Sequence, residues 1–149
     1  ILQKLNHLIE ELSTSDRFIK LFLASYNKDT AEFIYVNAGH NPPLHFSRKN
    51  QLAKLKKNSV CIGVVPFDYR IEKIHLEKND ILLMYTDGVL EAKNDLHEMF
   101  GEKNLVQAVL DKQNQNCEVI QDEITLRVLD HCGDRPLDDD YTLFIIKKN

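Results

Sequence analysis

The run Ile81-Leu82-Leu83-Met84-Tyr85, closed by Thr86-Asp87-Gly88, constrains this chain more than any other segment. Consecutive large apolar residues must be covered on every side. The run is too short for a buried helix and ends in turn chemistry, so it predicts a central, buried strand. Asp87 follows directly on that strand, and Gly88 is expected to free the backbone for a sharp turn. Asp138, Asp139 and Asp140 stand immediately before a second predicted strand at 141–147. If the two strands are antiparallel neighbours, both acidic sites fall at one edge of one sheet. Clustered carboxylates repel one another unless a cation neutralises them, and oxygen-only donors suit hard cations such as Mg²⁺ or Mn²⁺. A plainer reading stands beside this one, because Asp-Gly is also common turn chemistry and an acidic loop is ordinarily just solvated.

The rest of the chain reads as a mixture of helices and hairpins. Ile1, Leu5, Leu8, Ile9 and Leu12 share one helical face, and Ser13 to Asp16 break it. Residues 18–26 are apolar at nearly every position, as in a strand covered on both faces. Asn27-Lys28-Asp29-Thr30 is a turn, and residues 32–38 return as the second strand of a hairpin. Pro42-Pro43 interrupts regular structure, and a short strand follows at 44–46. Residues 47–58 read as a basic, polar surface connection, 71–76 as a strand and 77–80 as a turn. Leu105, Val106, Val109 and Leu110 mark one helix. Asn116 caps a second, with Ile120, Ile124 and Val128 on its buried stripe and Gly133 and Pro136 at its end. Strands and helices do not alternate as in a parallel sheet, so the order points to α+β with antiparallel sheets and helices outside.

Length and charge narrow the function classes. The 149 residues suit one compact domain, and 43% hydrophobic residues can build a core. A net charge of −4 with no Lys/Arg block leaves no footprint for nucleic acid or an anionic membrane. No apolar run approaches the roughly 20 residues of a membrane helix. Cys61, Cys117 and Cys132 form no C-x-x-C pair, which argues against a disulfide framework or thiolate zinc site and for a reducing cytoplasm. The cysteines read as core or partly buried thiols. The first residue is Ile1, inside a helical pattern, so a piece of a longer protein is expected.

Several blocks together resemble the PPM-type (protein phosphatase 2C-like) serine/threonine phosphatases. Asn37-Ala38-Gly39-His40-Asn41-Pro42-Pro43-Leu44 is similar to their N-A-G-H-x-P-P-L segment. Residues Leu82 to Ala92 are similar to L-L-x-Y-T-D-G-V-x-E-A, Phe100-Gly101 to the following F-G, and Asp139 to Leu143 to D-D-x-T-L. Gly63 and Asn6 stand where the family has a glycine and the asparagine of its L-N. The blocks keep the family's order across essentially the whole chain, closest to the SpoIIE/RsbU-like bacterial branch that regulates sporulation and stress sigma factors.

The resemblance implies two antiparallel β-sheets packed as a sandwich with helices on the outer faces. It implies Asp87 and Asp139 as metal ligands, with Asp140 the neighbour to be told apart from Asp139. It implies two Mn²⁺ or Mg²⁺ ions that lower the pKa of a bound water and clamp phosphoryl oxygens. The substrate would be a phosphoserine or phosphothreonine in a protein, an anti-sigma-factor antagonist, with a sensor domain upstream. The family's G-D-x-x-G-H-G segment, which supplies a bridging aspartate, does not precede Ile1. A partial phosphatase domain over 1–149 is therefore expected, with N-terminal strands missing, weak or absent metal binding alone, and exposed edges prone to self-association. Lys20 replaces a usual Thr, and Tyr141 a usual aliphatic residue. His40 and Asn37 are expected to hold the turn around Gly39 and Pro42, and the other histidines to pack or lie at the surface. Thr86 and Thr142 either orient carboxylates or simply belong to strands, and Glu91 either lies near the site or serves a helix start. The alternative from another class is a noncatalytic partner-binding module with the same fold, and the retained Asp87 and Asp139 favour the enzyme.

Overall fold

The computed structural model describes residues 1–12, 17–48 and 51–149. The expected helix break at 13–16 lies outside the described residues. The chain divides into two compact units, one of residues 1–42 and 53–77, the other of 43–52 and 78–149.

In the first unit, helix α1 (Leu2–Leu12) accompanies strands β1 (Leu21–Asn27), β2 (Glu32–Ala38) and β5 (Glu72–His75). The sheet order is β1-β2-β5, antiparallel throughout. The hairpin forms because the Asn27 side chain accepts the N–H groups of Asp29 and Thr30, an Asx turn that brings Asn27 opposite Glu32. Two expectations need correction. β1 is not covered on both faces: it is an edge strand beside β2 and leaves Leu23 44% exposed. The buried strand is its partner β2, which has a neighbour on each side. The buried face of α1 is also rotated from the predicted stripe. Ile1, Leu8 and Leu12 are exposed, while Leu2 and Asn6 are buried and Leu5 and Ile9 pack partly against Val36, Ala38 and Ile62.

Asn6 explains the rotation. Its amide donates to the Val65 carbonyl at 3.0 Å and accepts from the Gly63 N–H at 2.7 Å and the Tyr69 hydroxyl at 2.8 Å. A polar side chain with that many partners fixes the angular setting of its helix more firmly than an apolar one can. Gly63 is confined to glycine for two reasons: its φ is +87°, and a Cβ there would meet Ile9 of α1 at 2.5 Å.

The second unit holds β3 (Leu44–Phe46), β6 (Ile81–Tyr85), β7 (Leu143–Lys147) and helices α2 (Asp87–Leu90), α3 (Gly101–Lys112) and α4 (Cys117–Cys132). The four-stranded sheet runs β4-β3-β6-β7, with β4 (Leu52–Lys54) an exposed strand inside the segment expected to be a plain connection. β6 is central and buried, as its composition predicts. One face of this sheet, through Leu44, Phe46, Ile81, Leu83 and Tyr85, packs on Leu105, Ala108 and Val109 of α3 and Ile120, Ile124, Val128 and Cys132 of α4. Asn116 caps α4 as expected, accepting the Val119 N–H at 2.9 Å, and Gly133 ends it. The fold is α+β with two antiparallel sheets and helices. Among the described residues, no helix is long and apolar enough to cross a membrane.

Candidate metal-binding edge

β6 and β7 are antiparallel neighbours in the register Tyr85↔Leu143. The residue after one strand and the residues before the other therefore meet at one edge of the sheet, as the sequence pattern requires if the acids are to cooperate. Three hydrogen bonds hold them. The Thr86 N–H donates to the Thr142 carbonyl at 3.2 Å, continuing the ladder past its last strand residues. The Thr86 hydroxyl donates to the Asp140 carbonyl at 2.7 Å and accepts the Thr142 N–H at 2.9 Å.

Gly88 acts differently from the expectation. Its φ is not in the left-handed region, and it lies within the short helix α2 rather than at a free-form turn. Its importance is room. A Cβ at Gly88 would lie 2.5 Å from the Asp140 carbonyl oxygen and 2.9 Å from that of Asp139. Only a residue without a side chain lets the acidic loop lie so close to the helix that Asp87 begins.

Asp87 is half-buried, and Asp139 and Asp140 are exposed. One Asp139 carboxylate oxygen accepts the Asp140 N–H at 2.8 Å. Asp138 turns away to an ion pair with Lys93 at 3.3 Å, so the three consecutive aspartates are not equivalent. Tyr85, at the end of β6, has its phenol pushed up to about 12, by burial first and then by the Glu102 and Asp87 carboxylates. It therefore stays neutral near pH 7 and is no base. The donor chemistry of Asp87, Asp139 and Asp140 fits a hard cation. Among the described residues, however, no three His, Cys, Asp or Glu side chains are gathered to hold a metal. Asp87 and Asp139 lie at one edge of the sheet, with no third such side chain gathered beside them among the described residues.

The remaining expected residues divide between those that hold the roles read for them and those that do not. His40 Nδ1 carries a proton and donates to the Asn41 carbonyl at 3.0 Å, while its ring lies against Phe22, a turn-holding arrangement. Asn37 departs from its expected role: it is fully buried, and its side-chain amide donates to the Leu55 carbonyl at 3.4 Å instead of to the Gly39–Pro42 turn. Its backbone carbonyl accepts from the N–H groups of Asn58 and Ser59. Glu91 serves no helix start. It is exposed just after α2, its N–H donating to the Asp87 carbonyl, and the next helix begins only at Gly101. Tyr141 lies just before β7, partly buried, with its hydroxyl 3.0 Å from that of Thr125. Cys132 is buried, and Cys61 and Cys117 are half-buried.

Sequence reasoning missed the His45–Asp80 pair. Asp80 looks like a turn residue but is buried, accepting from His45 Nε2 at 2.9 Å and the Arg48 N–H at 3.0 Å. A carboxylate directly before a buried strand, with a histidine on the neighbouring strand, was the available signal.

Comparison with known proteins agrees with this architecture. The chain is 30% identical over 153 residues to "Phosphoserine phosphatase RsbU" of Bacillus subtilis, covering 99% of this chain and 44% of that protein. Among solved structures, the SiaA-PP2C domain of Pseudomonas aeruginosa superposes with a TM-score of 0.84 at 17% identity, over 99% of this chain and 59% of that one. The phosphatase domain of the cell fate determinant SpoIIE from Bacillus subtilis, in its "Mn presoaked" form, gives 0.64 at 19% identity, over 99% and 64%. The chain thus spans less than half of its curated relative and under two thirds of these structures. The model of the family described as "Stage II sporulation protein E (SpoIIE)" matches residues 1–149, and the chain belongs to that family.

Proposed function

We propose that this chain contributes to a metal-dependent protein serine/threonine phosphatase, with Asp87 and Asp139 as ligands of Mn²⁺ or Mg²⁺ and Asp140 beside them. The observation that carries the reading is the convergence of the Thr86-Asp87-Gly88 segment and the Asp139-Asp140 loop at one sheet edge, held there by the Thr86 hydroxyl and backbone N–H. The named phosphoserine phosphatase among its relatives and the manganese-soaked neighbour support it. When bound, the metal supplies Lewis-acid stabilisation of phosphoryl oxygens. The chain's own residues orient the carboxylates, and the substrate class is a cytoplasmic phosphoprotein of the anti-sigma-factor antagonist type. A regulatory domain elsewhere in the natural protein fits the same reading.

The test is Mn²⁺-dependent dephosphorylation of a phosphoserine protein by the natural protein containing this sequence. Asp87→Asn and Asp139→Asn are expected to lose at least about 100-fold, beyond what outer-shell partners typically cost. Asp140→Asn, run alongside, tells the two neighbours apart. A folded, inactive wild type would replace this reading with a noncatalytic partner-binding module.

A further inference from the structure

Thr86 stands at the N-cap of α2 with extended backbone, φ −88° and ψ 166°, yet its side chain makes no capping bond. Threonine at this position ordinarily spends its hydroxyl on the N–H groups of the helix it opens. Here the hydroxyl crosses to the other strand instead. It donates to the Asp140 carbonyl and accepts the Thr142 N–H, bracketing the loop from both sides with one oxygen. A hydroxyl is the smallest side-chain group that can donate and accept at once.

We infer that Thr86 is a positioning residue: its hydroxyl clasps the loop at Asp140 and Thr142 and so sets where the Asp139 carboxylate stands relative to Asp87. The backbone bond from the Thr86 N–H to the Thr142 carbonyl does not depend on the side chain and remains available in every variant but proline. Strand pairing is therefore separable from the clasp, which acts only on the loop. Lys93 reinforces the loop at Asp138, one residue before Asp139. Gly88 admits the loop, and Thr86 fixes it. The functional meaning of the clasp rests on the proposed metal edge, but its existence does not.

The experiment uses Thr86→Val, which keeps the shape and removes the hydroxyl, and Thr86→Ser, which keeps the hydroxyl. Amide hydrogen exchange is read by NMR at Thr142 and Asp140, with the Leu83–Ile145 ladder as the internal control for folding. The expected result is at least tenfold faster exchange at Thr142 in Thr86→Val, an unchanged ladder, and recovery in Thr86→Ser. In the natural protein, Mn²⁺ affinity measured by calorimetry is expected to fall 10- to 100-fold in Thr86→Val, the range typical for groups that orient ligands, and by less than about threefold in Thr86→Ser. Wild-type exchange in Thr86→Val overturns the inference. So does a Thr86→Ser variant that loses loop protection or Mn²⁺ affinity while its ladder stays intact, which keeps the test decisive if Thr86→Val unfolds. If exchange and affinity respond as expected while Asp87→Asn and Asp139→Asn leave phosphatase activity intact, the clasp stands and the assignment of Asp87 and Asp139 as metal ligands falls.

Discussion

Asn6 is a polar residue in an apolar place, and the sequence offers it as a break in a helical stripe. The structure shows it as the anchor of that helix, with both ends of its amide engaged. Asn6→Leu would leave the Gly63 N–H and Val65 carbonyl without their partner, and is expected to destabilise by about 2 kcal/mol in urea unfolding. An unchanged midpoint would mean that water replaces the amide. Arg127 gives a prediction with a pH sign. Its guanidinium holds the Asp111 and Glu123 carboxyls below their ordinary values, chiefly by direct hydrogen bonds. Groups with lowered folded values stabilise above their unfolded pKa, near 4, and lose that contribution as pH falls through the lowered values. The melting-temperature gap between wild type and Arg127→Gln should therefore be full at pH 7 and close below about pH 4. A gap that persists in acid would point to packing of the arginine stem instead. Single residues were the least legible scale. Only its place directly before a buried strand separates Asp80, buried on His45, from Asp138, exposed on Lys93.

At the scale of elements the sequence was a better guide where periodicity was strong and edges were not involved. β6 was legible because a fully apolar pentad has only one comfortable place, and α4 because its cap and stripe agree. Ile124→Ala, in the middle of that stripe, is expected to cost about 3 kcal/mol by calorimetry or urea unfolding, as cavities of this kind do. β1 misled because an apolar composition looks the same in a central strand and in an edge strand. α2 escaped because four residues carry no period. Gly88 within it offers a test by sign. Helix propensity alone favours alanine there by about 1 kcal/mol. The added Cβ, however, would strike the Asp140 carbonyl, so Gly88→Ala is expected to destabilise by about 1–3 kcal/mol, as overpacking does. A more stable variant would show that the acidic loop yields freely.

For the molecule as a whole, the class of fold and the shared acidic edge could be read from the order of blocks. The pairing of strands had to be seen. β1 matters here too. Among the described residues it pairs along one side only, and from Leu21 to Asn27 it has no charged residue and no proline to blunt its edge. Concentration-dependent sedimentation is expected for this chain, reduced by Leu23→Lys; a strict monomer at high concentration would remove the expectation. The register Tyr85↔Leu143 has a last consequence, one of timing. The two halves of the acidic edge lie 56 residues apart where Thr86 meets Thr142, with three helices made between them. A ribosome therefore delivers Asp87 long before Asp139. During synthesis, a nascent chain that has completed α4 but not β7 has its central strand and its first carboxylate but no completed acidic edge. Under the proposed function, phosphatase chemistry waits for the last strand.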